Sequence, residues 1–169
     1  MGRDKRNEQR GEKATMLRLS MMQTPAWRAL SPTAQALYVW IKHEWRGSKF
    51  NNNGKLRLSV RQAAECMGCA NNTAMRGFQD LQAKGFIIQT EGACLGVEGQ
   101  GKAPAYELTE INPAGVQGPG KQWFLNWSEG HDFPVKMAVT QARRGGKTKT
   151  KPRLNNEDST VVILETKRK

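Results

Sequence analysis

Three groups of residues in this chain have types and spacings that can carry chemistry. The stretch "GVEGQGKA", Gly96 to Ala103, sets two glycines with four residues between them before Lys102. That is the frame of a phosphate-binding loop, except that Ala103 stands where the loop needs the hydroxyl of Ser or Thr. "CMGC" places Cys66 and Cys69 at metal-ligand spacing, with Cys94 as a third sulfur. Asn72 and Arg76 lie one helical turn apart, with Gln79 on the same side. An Asn amide can bond the edge of adenine with two hydrogen bonds, and an Arg guanidinium can do the same to guanine.

Context separates the three. A phosphate-binding loop must lead from a strand into a helix, whose N-terminus supplies the anion-binding dipole. Lys102 is instead followed by "APAYELT", a proline and then strand-like alternation. The glycines therefore predict a turn at the tip of a hairpin, from which Lys102 can approach a phosphate. A structural zinc needs four ligands, and the two histidines, His43 and His131, lie far from the cysteines in sequence. Three sparse cysteines suit a reduced cytoplasm better than a disulfide framework. No metal and no cofactor are expected. With neither a nucleophile elbow nor a paired-carboxylate signature, the chain is not expected to be an enzyme.

The charge balance points the same way as Asn72 and Arg76. The 169 residues carry 27 Lys plus Arg against 15 Asp plus Glu, a formal net charge of +12. A field of that sign favours polyanions, nucleic acid first and an anionic membrane surface second. The longest apolar run in the folded part, "LYVWI", is far short of the roughly 20 residues a span needs, so no membrane partner is expected. A hydrophobic share of 37% supports one modest core with solvated ends. The N-terminus lacks the apolar segment of a secretory signal.

Capping residues and periodicity locate the elements that would hold these side chains. Residues 1–13 mix five basic and three acidic residues without apolar periodicity and read as a flexible charged arm. Thr24-Pro25 and Ser31-Pro32 each start a helix, the second with a stripe of Ala34, Leu37, Tyr38, Ile41 and Trp45. A turn at "FNNNG" and a short strand at Lys55 to Leu58 follow. Ser59 caps a helix whose buried face is Val60, Ala63, Ala64 and Met67. After a tight turn at Gly68 and Cys69, a second helix runs from Asn71 to Lys84 and stops at Gly85. It buries Ala74, Phe78 and Leu81, leaving Asn72, Arg76 and Gln79 on the opposite face. "FIIQTE" and "AYELTE" read as two strands joined through the Gly-rich stretch. Beyond Ile111 lie a linker, the aromatic segment "KQWFLNW", and a tract from Ala142 to Arg153 with six basic residues and no acid. The aromatics are expected to strap the linker onto the core, and the basic tract to track phosphates.

The residues "SVRQAAECMGCANNTAMRGFQDLQAKGFI" resemble the winged helix-turn-helix family. They are similar to MarR and GntR types of bacterial regulator and to winged initiators of plasmids and phages. The "T-x-x-R" of Thr73 to Arg76, Leu81 and the following "KGFI" sit at the family's spacing. The similarity runs from about Leu17 to Thr109 and is strongest over 59 to 88. It implies a mainly α fold with a small β-hairpin (α+β), a winged helix-turn-helix domain over 14–112, and a linker, aromatic segment and disordered basic tail over 113–169. It also implies double-stranded DNA as partner, with the helix 71–84 in the major groove and the wing 92–103 against the backbone. The residues expected to face DNA are Ser59, Arg61, Asn71, Asn72, Thr73, Arg76, Gln79 and Lys102, with Arg143 and Arg144 in the tail. One departure is Ala70, which stands where the family usually has a capping Ser or Thr. Asn71 is the nearest substitute.

The function this implies is sequence-specific DNA binding by a cytoplasmic regulator of a bacterium or mobile element. A plasmid or phage replication initiator is the alternative on the same fold. A protein-interaction module is the alternative from another class. A homodimer, and a protein partner for the C-terminal tail, stay open.

Overall fold

The computed structural model describes residues 14–95, 101–116 and 118–136. The fold is α+β, with five α-helices among the described residues and a three-stranded antiparallel sheet. Two short helices, α1 (Leu19–Met22) and α2 (Pro25–Arg28), lead into α3 (Pro32–His43). The Thr24 hydroxyl accepts from the Trp27 amide at 3.2 Å, and Ser31 Oγ accepts from Ala34 at 3.3 Å. Each helix thus gains a partner for an otherwise orphaned N–H, and the proline at the first helical position sacrifices none.

Strand β1 (Leu56–Arg57) is followed by α4 (Val60–Met67) and α5 (Asn71–Ala83). A full capping box starts α4, in which Ser59 and Gln62 each satisfy the other's backbone N–H. At the start of α5, Ala70 occupies the cap position without a side-chain bond, and Asn71 is already the first helical residue. Asn71 does not replace the missing cap. Gly77 lets α5 lie against α3, since a Cβ there would meet Leu37 Cδ2 at 3.1 Å. The helix ends at Gly85, whose φ of +74° is the left-handed turn that glycine adopts without a Cβ penalty.

The sheet has the order β1–β5–β2, with β2 at Ile87–Glu91 and β5 at Ala105–Leu108. A separate two-stranded ribbon, β3 (Cys94–Leu95) and β4 (Gly101–Lys102), extends the β2–β5 connection. β1 is shorter than the strand expected over Lys55 to Leu58, although Leu56 and Leu58 are both buried as the alternation requires. Lys102 leads through Pro104 into β5 and not into a helix, so the geometry of a phosphate-binding loop is absent there.

The core joins the helices to the sheet through aromatic contacts. Trp27, Tyr38 and Phe86 meet edge to face with centroids 5.4 to 5.7 Å apart, and Phe78 stacks on Tyr106 at 5.0 Å. The predicted residues Ala34, Leu37, Tyr38 and Ile41 are buried on α3, as are Ala74, Phe78 and Leu81 on α5. On α4 only Ala63 and Ala64 are fully buried, while Val60 and Met67 pack at the edge. Trp45 also sits at the edge, its Nε1 donating to Asn51 Oδ1 at 3.0 Å.

A buried charge belongs to the same core. Lys42 and the Tyr38 hydroxyl both donate to Glu110 Oε2 at 2.7 Å, and Arg18 Nε lies 3.3 Å from Oε1. Burial, reinforced by the neighbouring Glu110 carboxylate, holds the Tyr38 hydroxyl well above its ordinary pKa. Beyond β5 the chain returns over the domain as a strap. Gln122 donates to the Thr109 carbonyl at 2.8 Å, and a single 3₁₀ turn, Trp123–Leu125, inserts Phe124 against Phe86. The aromatics of "KQWFLNW" thus fasten this segment to the core, as expected from their composition.

Candidate functional site

The outward face of α5 follows from the way its inner face is filled. Ala74, Gly77, Phe78 and Leu81 are buried, which turns Asn72 and Arg76 to solvent on the opposite side. Asn71 and Thr73, in the first turn, are exposed, and Gln79 is half-buried on the same side as Asn72. The helix therefore brings together five of the side chains expected at the site. Met75, which the sequence reading passed over, joins them as an apolar group 41% exposed. Its signal was its position three residues after Asn72, on the face that the core does not use.

The N-terminal end of α4 carries the next two expected residues. Arg61 is exposed, with Nε 3.7 Å from Glu65 one turn on. A pair so exposed is worth little and leaves the guanidinium accessible. Ser59 is occupied differently, since its hydroxyl accepts from the Gln62 amide at 3.2 Å and contacts Gln62 Oε1 at 2.8 Å. The capping box thus uses the hydroxyl that an external anion would need, and Ser59 contributes through the helix start it fixes.

Lys102 lies on β4, paired across from Cys94, with Nζ 3.4 Å from Glu91 Oε2. That carboxylate also receives Arg57, and the hydrogen bond from the guanidinium holds Glu91 below its ordinary value of 4.5. Arg57 is the basic residue that sequence reasoning missed. Alternation in "KLRLS" sends Arg57 to the side away from Leu56 and Leu58, but only strand pairing places it beside Glu91. Residues 96–100 of the expected wing, and Arg143 and Arg144, lie outside the described residues.

Cys66 is exposed, and Cys69 is half-buried against the core in the turn before α5. Among the described residues, no three His, Cys, Asp or Glu side chains are grouped to hold a metal ion. No described helix is long and apolar enough to cross a membrane. Compared with family models, curated proteins and solved structures, the chain finds no match in any of the three.

Proposed function

We propose that this protein is a sequence-specific double-stranded DNA-binding protein built on a winged helix-turn-helix, with α5 as the helix that enters the major groove. The observation that carries this is the exposed row on α5. Asn72 and Arg76 stand one turn apart opposite the buried Ala74, Phe78 and Leu81, in a chain of net charge +12. An α-helix fits the major groove, where this pair has the hydrogen-bonding groups to read an adenine and a guanine edge. Met75 adds an apolar group suited to a thymine methyl. In this reading Asn71 and Thr73 at the helix start, Arg61 on α4 and Lys102 on the hairpin bind phosphates, which fix register without reading sequence.

The order of elements supports this reading. A strand precedes α4, a tight turn at Gly68 and Cys69 joins α4 to α5, and an antiparallel pair extended by a ribbon follows. A transcription regulator of a bacterium or mobile element is the leading version of this reading. An initiator on the same fold would bind an iterated array of sites, where a regulator would bind isolated ones. Selection from a random-sequence duplex library is the experiment. It should return a consensus containing adenine and guanine at neighbouring positions, and recovery of unenriched DNA would refute the proposal.

A further inference from the structure

We infer that Arg57 and Lys102 form a phosphate-binding cradle at the base of the β3–β4 ribbon, in which the Glu91 carboxylate stands in for a DNA backbone phosphate until one displaces it. The cradle rests on duplex DNA being the ligand, as proposed above, and adds two residues and a mode of binding to it.

Strand pairing builds the cradle. Arg57 on β1 and Glu91 on β2 both pair with Ala105 of the central strand, so their side chains leave the same face of the sheet. Ala105 has only a methyl group, which allows the guanidinium to cross over β5 to the carboxylate. A bulge between Gln89 and Glu91 makes this register. It leaves Thr90 unpaired and brings Glu91 to the position that Thr90 would hold in a regular ladder. The re-aimed residue is therefore an acid placed among cations.

Three further features distinguish the cradle from an incidental surface pair. Both cations converge on one oxygen, Glu91 Oε2, as two donors would on a phosphate oxygen. Arg57 also donates to the Ala103 carbonyl, so the backbone holds the guanidinium whether or not Glu91 is present. The group is open to solvent, with side-chain exposures of 29% for Arg57, 48% for Glu91 and 54% for Lys102. A guanidinium fork and an ammonium suit a phosphodiester at least as well as a carboxylate. On exchange the phosphodiester takes over the two cations, while the carboxylate, still part of β2, turns to water.

The test is fluorescence anisotropy of a labelled random-sequence duplex about two helical turns long, titrated with full-length protein at several salt concentrations. Glu91→Gln should bind about two- to fivefold more tightly than wild type, the scale of one exposed ion pair released. Arg57→Ala and Lys102→Ala should each weaken binding, and the double variant should make the slope of log affinity against log salt shallower by about 0.9, the share of one phosphate. Glu129→Gln, which removes the same charge from the strap, should change affinity less than Glu91→Gln. Equal gains from the two Glu variants, or a slope of the Arg57→Ala, Lys102→Ala double variant superimposable on wild type, would overturn the cradle. A wild-type protein that binds no duplex at low salt would remove the DNA proposal as well, whereas flat responses on a binding wild type remove the cradle alone.

Discussion

Asp80 shows how much a single side chain fastens in this fold. Its Oδ2 accepts from the Ser31 amide at 2.8 Å, where α3 begins, and its Oδ1 lies 2.9 Å from Lys84 Nζ. Burial alone would raise this carboxyl, but the bonds from Lys84 and Ser31 outweigh it and hold the pKa below 3.8. A carboxyl depressed in the folded state adds stability above its unfolded pKa, and loses it as pH falls through the folded value. Asp80→Asn should therefore lower stability at neutral pH and flatten part of the decline below about pH 4. Urea denaturation at a series of pH values measures this. Parallel pH profiles for variant and wild type would show that Asp80 is not a contributor. Residues of this kind were only partly legible beforehand. The caps at Thr24, Ser31 and Ser59 could be read because each bonds within three residues of itself. Asn53, which bonds the Leu108 amide and the carbonyls of Leu108 and Ile111, looked like one more turn residue. Its partners are more than fifty positions away, and no local pattern announces them.

The elements themselves followed from periodicity wherever one face is buried by neighbours close in sequence. α3 and α4 begin where the caps Ser31 and Ser59 place them, since a helix start depends on a few consecutive residues. α5 starts after the tight turn at Gly68 and Cys69 without a side-chain cap. The strands were harder to delimit. The pairing of β1 with β5 joins residues about fifty positions apart, and the bulge in β2 that re-aims Glu91 has no mark in "IIQTE". The strap is an intermediate case, where composition marks the aromatics but not which ring enters the core. Phe124 does, stacking on Phe86 at 5.0 Å and only 4% exposed, while Trp123 turns outward and stacks on Phe133. Phe124→Ala should cost about 3 to 5 kcal/mol, as large-to-small changes of buried aromatics do. Chemical denaturation of the full chain checks this. A loss below about 1 kcal/mol would mean that the strap lies on the domain without belonging to its core.

At the scale of the molecule, charge is the dominant feature, and half of the net charge of +12 lies in the last thirty residues. Deleting residues from Gln141 onward removes nine of the 27 basic residues and three of the 15 acidic ones. Each phosphate neutralised contributes about −0.9 to the slope of log affinity against log salt. A tract so rich in charge engages only part of it at once, so the truncated protein should show a slope shallower by about 2 to 4. Its preferred sequence should be unchanged if, as proposed, α5 reads the base edges. Titrations at several salt concentrations decide between this and superimposable slopes, which would mean that the tail does not touch DNA. The charge and the exposed row on α5 were both visible in the sequence, but their relation to the hairpin required the fold. The most direct measurement of the central claim, that α5 reads bases, is selection from random duplex DNA with wild type, Asn72→Ala and Arg76→Ala in parallel. Each variant should lose preference at one position of the wild-type consensus, neighbouring for the two, with Arg76→Ala weakening specific binding by roughly 1 to 3 kcal/mol. An identical consensus from all three proteins would contradict the claim.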